Sequence, residues 1–254
     1  MPEYFTCLPA TFDRFAKTNG DPDVHPERYR DENPAAGATA VFASAEFGHA
    51  AESKLSWKHF PAGPNGFFRA PVLLSGPTEA LLIDGGFNYP DGRALADAIK
   101  ATGKKLTAIY ISQSDPDYYF SLKPVRDALP SVKVIAAAAT LEAIKGNVEK
   151  KLAVWGPQLK ENGPQTLSDV ILPQAFDGPS LTVDGETIEI IAAEGLAHRR
   201  YLWVPSLKAV FGGVMIFSGV HVWTADTPTA FALPGSQTST RLPPASRPLW
   251  WPAI

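Results

Sequence analysis

A single cysteine, Cys7, excludes an internal disulfide framework and any zinc site built from several cysteines of one chain. No run approaches the ~20 apolar residues that a membrane-spanning helix needs, and no dense basic run occurs. With 23 Lys and Arg against 26 Asp and Glu, the net charge of −3 provides no general attraction for nucleic acid or an anionic membrane. Familiar nucleophile and phosphate motifs are also missing. There is no GxSxG turn and no P-loop, and Gly85-Gly86 lacks the third glycine of a dinucleotide-binding loop. Cys7 has no histidine near it in the chain, so it makes a poor nucleophile. These absences leave a globular chain of 254 residues, 45% hydrophobic and 19% charged, whose length suits one large α/β domain with additions.

What is present is unevenly spread, and the 24 prolines most of all. Residues 1–52 carry scattered Pro, Gly and charge without a sustained apolar period, and read as a poorly patterned extension. Gly48-His49-Ala50 would suit a small-residue cleavage site, but Asp31, Glu32 and Glu46 oppose an export signal, so a cytoplasmic location is expected. Residues 53–229 form the patterned domain. Residues 230–254 are rich in Pro and Trp, and after Asp226 the chain contains no Asp, Glu or Lys.

Inside the domain, Pro71–Ser75 and Ala80–Asp84 flank Gly76-Pro77 and predict a hairpin. Asp91 is placed to cap a helix through Ala101, with Gly103 as its stop. Leu106–Ser112 reads as a buried strand, followed by a polar turn over Gln113–Asp117 and a helix over Tyr119–Leu129. Val132–Ala138 returns as a strand. Leu141, Ile144, Val148, Leu152 and Trp155 recur at spacings of three and four, the stripe of a helix lying on a sheet. A second set of strands follows over Leu181–Ile191, with its turn at Asp184-Gly185, then Tyr201–Val204 and Ala209–Phe211. Polar turns after buried strands are where such folds hold their chemistry, which singles out the turn after Ser112.

LLIDGG (Leu81–Gly86), IYISQSDPDYYFSL (Ile109–Leu122), AEGLA (Ala193–Ala197) and LWVPSLKAVFGGV (Leu202–Val214) resemble, in order and spacing, the metallo-β-lactamase fold hydrolases. The resemblance covers about residues 55–229. It implies a four-layer αβ/βα sandwich with a one- or two-metal site on loops at one edge. The family's signature is HxHxDH after a buried strand, a GH after a later hairpin, a GD after the next strand and a last GH. Laid on that pattern, Gln113 and Asp115 take the first two His positions, Asp117 keeps the Asp, and Tyr118 takes the next His. Leu196 stands for the hairpin His, and Gly213 for the bridging Asp. Neutral imidazoles and carboxylates are what hold Zn²⁺ and similar ions and let their bound water ionise near neutral pH.

Two chemistries are open on these residues. Asp115 and Asp117, with Gln113, His198 or His221, bind one hard divalent cation and serve a hydrolase acting on ester, lactone or phosphoester bonds. Alternatively the chain needs no metal and is a noncatalytic relic or a module binding a small molecule or a partner. Then Ser114-Asp115-Pro116-Asp117 is a turn whose carboxylates cap the next helix, His198 lies at the surface, and His221 sits hydrogen-bonded at a pocket rim. Tyr118, Trp223 and neighbouring aromatics are placed either in the core or around an apolar cavity. Six prolines after Thr227 oppose the closing helix and strand that the family places there. With G+C-leaning codons, a shifted reading frame over Phe231–Ile254 yields LRVAWIANLDTLAACKPAVVVAGH, an amphipathic helix, a strand and a GH. A domain without those elements leaves an apolar face that a homo-oligomer would cover.

Overall fold

The computed structural model describes residues 53–214. The extension with Cys7, His221, Trp223 and the Pro- and Trp-rich tail, with the expectation that it lacks the closing helix and strand, lie outside them. The described part opens with β1 (Ser56–His59), β2 (Val72–Ser75) and β3 (Glu79–Ile83), paired antiparallel in that order. The Gly76-Pro77 hairpin is as expected, with Val72 opposite Ile83 and Ser75 opposite Ala80. Then α1 (Tyr89–Ala101) crosses over to β4 (Lys105–Ile111), α2 (Leu122–Ala128) to β5 (Lys133–Ala136), and α3 (Ala138–Leu159) toward β6 (Gln174–Ala175). Helical crossovers let strands run parallel, so β3, β4, β5 and β6 do, completing a six-stranded sheet in chain order. A second sheet is an antiparallel meander of β7 (Ser180–Val183), β8 (Glu186–Ala192), β9 (Arg200–Val204) and β10 (Ala209–Phe211).

Alternation along the strands of the first sheet produces two apolar faces. Leu73, Leu82, Ile109, Ile111 and Val134 meet Leu95 and Ile99 of α1, Val125 of α2, and Ile144 and Val148 of α3. Their neighbours Leu74, Leu81, Ile83 and Tyr110 face the second sheet, against Val183, Ile188, Leu202, Val204 and Phe211. A sheet covered on both sides requires nearly continuous apolar strands, and LLID and AIYI supply them. The two sheets are also latched at the start of β3. The Asp184 carboxylate, in the β7–β8 turn, accepts the N–H groups of Thr78 and Glu79 at 2.9 Å each.

Two local expectations need correction. Asp91 does not cap α1: Asn88 is the cap, and its side chain accepts the Asp91 N–H at 2.9 Å. Pro90 explains this, since a proline without an N–H belongs in a helix's first turn and the cap must precede it. The helix expected over Tyr119–Leu129 starts three residues later, as α2 over Leu122–Ala128, after a tight turn at Pro116–Tyr118. Ser121 is held instead by the turn after β3: its N–H donates to Gly86 O at 3.0 Å and its hydroxyl accepts the Gly86 N–H at 2.6 Å.

Candidate functional site

Parallel strands deliver their C-terminal ends to one edge of a sheet, and the loops that follow meet there. Asp84, just past β3, has φ 61°, a left-handed conformation that Asp tolerates better than most side chains. That turn aims its carboxylate at the end of β4. Oδ1 accepts the Ser112 N–H and Oδ2 the Ser112 hydroxyl, both at 2.7 Å. The hydroxyl in turn accepts the Gly213 N–H at 2.8 Å, while Ser112 O accepts the Arg200 N–H at 2.8 Å. One buried serine therefore ties the ends of β3 and β4 to both sides of the β9–β10 hairpin. Burial pushes the Asp84 carboxyl up to about 7, against the opposing pull of the two Ser112 hydrogen bonds and of Arg69.

The loop after Ser112 is built around a second carboxylate, the half-buried Asp117. Gln113 is buried and its Oε1 accepts the Asp115 N–H at 3.1 Å. Asp115 stands at the start of the Pro116–Tyr118 turn but its side chain caps nothing; it faces Lys151 of α3, Oδ1 to Nζ 3.4 Å. Asp117 Oδ2 lies 2.6 Å from Arg69 Nε, with side chains only 15% and 21% exposed. Arg69 Nη1 also donates to the Tyr118 hydroxyl, and its Cζ lies 4.8 Å from the Tyr118 ring centroid, a cation–π distance. Burial raises Asp117 above the usual carboxylate range, Arg69 opposes that, and Asp115 adds to it. Tyr118 is likewise raised well above its ordinary value by burial.

No protein-family model and no curated protein matches the chain. Solved structures do. BLEG-1 B3 metallo-β-lactamase superposes with a TM-score of 0.52 and 18% identity over 73% of this chain and 84% of that one. DIM-1 metallo-β-lactamase exposed to ceftazidime gives 0.52 and 19% over 75% and 79%. The metallo-β-lactamase from Pontibacter korlensis gives 0.51 and 17% over 76% and 84%. The chain has the metallo-β-lactamase fold. Identities this low extend the likeness to the fold alone, so the chemistry must be read from the residues.

The residues placed at the metal edge of this fold are brought together only in part. Gly213 reaches the loop through its N–H on Ser112. Leu196 is half-buried in the 193–199 turn and His198 joins α3, its carbonyl accepting the Thr140 hydroxyl at 3.0 Å. Burial and the adjacent Arg199 lower the His198 pKa, partly offset by Asp115. Tested for a divalent ion, the donors among the described residues do not fit. Leu196 and Gly213 have no side-chain donor, Asp117 already carries a guanidinium, and Asp115 faces an ammonium. Among the described residues no three His, Cys, Asp or Glu gather where one ion could touch them all. Sequence reasoning missed Arg69, Asp84 as a hub, and Lys151. The only available signal for Arg69 was chemical: a buried carboxylate with no histidine partners calls for a cation.

Proposed function

We propose that the chain is a hydrolase-like protein of this fold that binds a small molecule at the edge made by residues 84–86, 112–121 and 212–214, without a resident metal ion. The observation that carries this is the Arg69–Asp117 ion pair. The one carboxylate that the family pattern retains is engaged by the protein's own cation, and two other pattern positions, Leu196 and Gly213, offer nothing to an ion. What remains suits recognition: buried Gln113 and Tyr118, half-buried His198, and two ion pairs that keep the edge near neutrality. Hydrolysis of an ester, lactone or phosphoester bond, with Asp115 and Asp117 moving protons, is a second reading. It is favoured by the raised Asp117 carboxyl, because an acid that desolvation shifts upward is suited to proton transfer.

The test is metal analysis of protein purified without chelator, alongside hydrolysis assays on ester, lactone and phosphoester panels with the parent and Asp117→Ala. The metal-independent reading expects substoichiometric metal and thermal stability that a chelator leaves unchanged. One divalent ion per chain, with turnover lost on chelation, would overturn it. Metal-free turnover that Asp117→Ala abolishes establishes the second reading, and no turnover from either protein leaves binding.

A further inference from the structure

Arg69 is central to the edge in a way no other basic residue among those described is. It lies between β1 and β2 in a tight loop where Phe67 and Phe68 both adopt φ 55°, a costly conformation for aromatic side chains. The loop is closed by Ala62 N–H on Arg69 O at 2.8 Å and Arg69 N–H on Gly66 O at 3.2 Å. From there the guanidinium meets Asp117 through Nε, Tyr118 through Nη1 and the face of the Tyr118 ring. Its charge also reaches Asp84, so the same cation opposes the upward shift that burial imposes on Asp84, Asp117 and Tyr118.

We infer that Arg69 is the resident cation of this edge: its guanidinium does for Asp117 what the family pattern assigns to a metal ion, so the parent chain excludes a divalent ion and removing the side chain admits one. This deepens the metal-independent reading and rests on it. A guanidinium bonded to a carboxylate is a fixed, always-charged group. A divalent ion approaching Asp117 must therefore break the ion pair and face a positive charge at short range. With Arg69 truncated, Asp117 loses its cation while Asp115, on the same loop and close enough for its charge to act on Asp117, keeps only Lys151 opposite it, so the loop gains net negative charge on two oxygen donors of the kind hard cations accept.

The experiment is Mn²⁺ titration of metal-stripped, full-length protein, read by the free-ion electron paramagnetic resonance signal and by thermal shift. Parent, Arg69→Ala, Arg69→Lys, Asp117→Asn and the Arg69→Ala/Asp117→Asn double variant are compared. Arg69→Ala should bind Mn²⁺ at least about tenfold more tightly than the parent and be stabilised by it. Arg69→Lys and the double variant should behave like the parent. If Arg69→Ala does not fold, Arg69→Gln removes the charge while keeping a long polar side chain and carries the same expectation. Mn²⁺ binding by the parent that Asp117→Asn abolishes would overturn both this inference and the metal-independent reading. A parent that binds none, with an Arg69 variant that binds no more, would overturn this inference alone.

Discussion

Asp84, buried, and Asp117, half-buried, are two aspartates on the same edge, and the protein answers them differently. Asp84 is met by neutral donors, the Ser112 N–H and hydroxyl. Asp117 is met by a guanidinium. Burial is the largest cause of an upward shift at each, so neither answer cancels desolvation. What differs is the job. Hydrogen bonds from Ser112 are directional and continue to Gly213 and Arg200, so Asp84 fixes the positions of three chain segments. An ion pair holds charge, so on the reading proposed above Asp117 and Arg69 decide what else can bind. Asp84 therefore serves the fold, and on the proposed reading Asp117 serves the site.

The sharpest way to break that contrast is by pH. A folded carboxyl near 7 still holds a proton that the unfolded chain releases near 3.8, so the folded state is favoured at low pH and that advantage disappears as pH rises through about 7. A carboxyl displaced that far differs between the folded and unfolded chain by about 4 kcal/mol. The parent should thus lose about 4 kcal/mol of stability from this group between pH 4 and 8, measured by urea unfolding across that range. Asp84→Asn, which cannot ionise and tolerates the same backbone conformation, should flatten that part of the slope. An unchanged slope would mean that Asp84 is ionised throughout, and the hub would be a charged one.

Next in size is a change at the other end of the hub. Gly213 has φ +71°, and a Cβ there would lie 2.7 Å from Arg200 O, backbone that cannot move aside cheaply. Gly213→Ala should cost about 2–3 kcal/mol, since strain and the contact add. The reduced stability should be accompanied by faster hydrogen exchange at the Arg200 and Gly213 amides, which both bond Ser112. If exchange at those amides is unchanged, the serine is not what joins the strands.

These two variants also mark how much was legible beforehand. Gly76-Pro77, Gly103 and Asp184-Gly185 are punctuation whose backbone requirements are local, and the elements they separate fall where expected. The order of LLIDGG, the 109–122 segment and the two later hairpins was sufficient for the fold, which the solved structures bear out. The cap of α1 was also within reach, because Pro90 forces it upstream to Asn88. Arg69 was not. Its partner is 48 positions away, and a lone arginine in a Gly- and Phe-rich loop carries no local signal of the carboxylate it will meet. Ser112 and Asp84 were visible as strand ends, but their bond depends on the parallel register of β3 and β4, with Ile83 beside Tyr110. Side-chain pairing across a fold is set by tertiary geometry, and spacing along the chain does not encode it.

The smallest effect falls on the Asp117 side of the comparison. Tyr118 supplies the Arg69 guanidinium with both a hydroxyl acceptor and a ring face. Tyr118→Phe removes the first and keeps the second, so the cation stays over an aromatic face but loses one hydrogen-bond acceptor. The expected cost is about 1 kcal/mol, a single hydrogen bond to a charged group with partial compensation. Because Asp117 is untouched, the variant should still exclude Mn²⁺ as the parent does, which separates holding the guanidinium in place from supplying its charge. Tyr118→Leu, losing ring and hydroxyl together, should cost more. If Phe and Leu prove equally costly, the ring face contributes nothing, and Asp117 alone anchors Arg69.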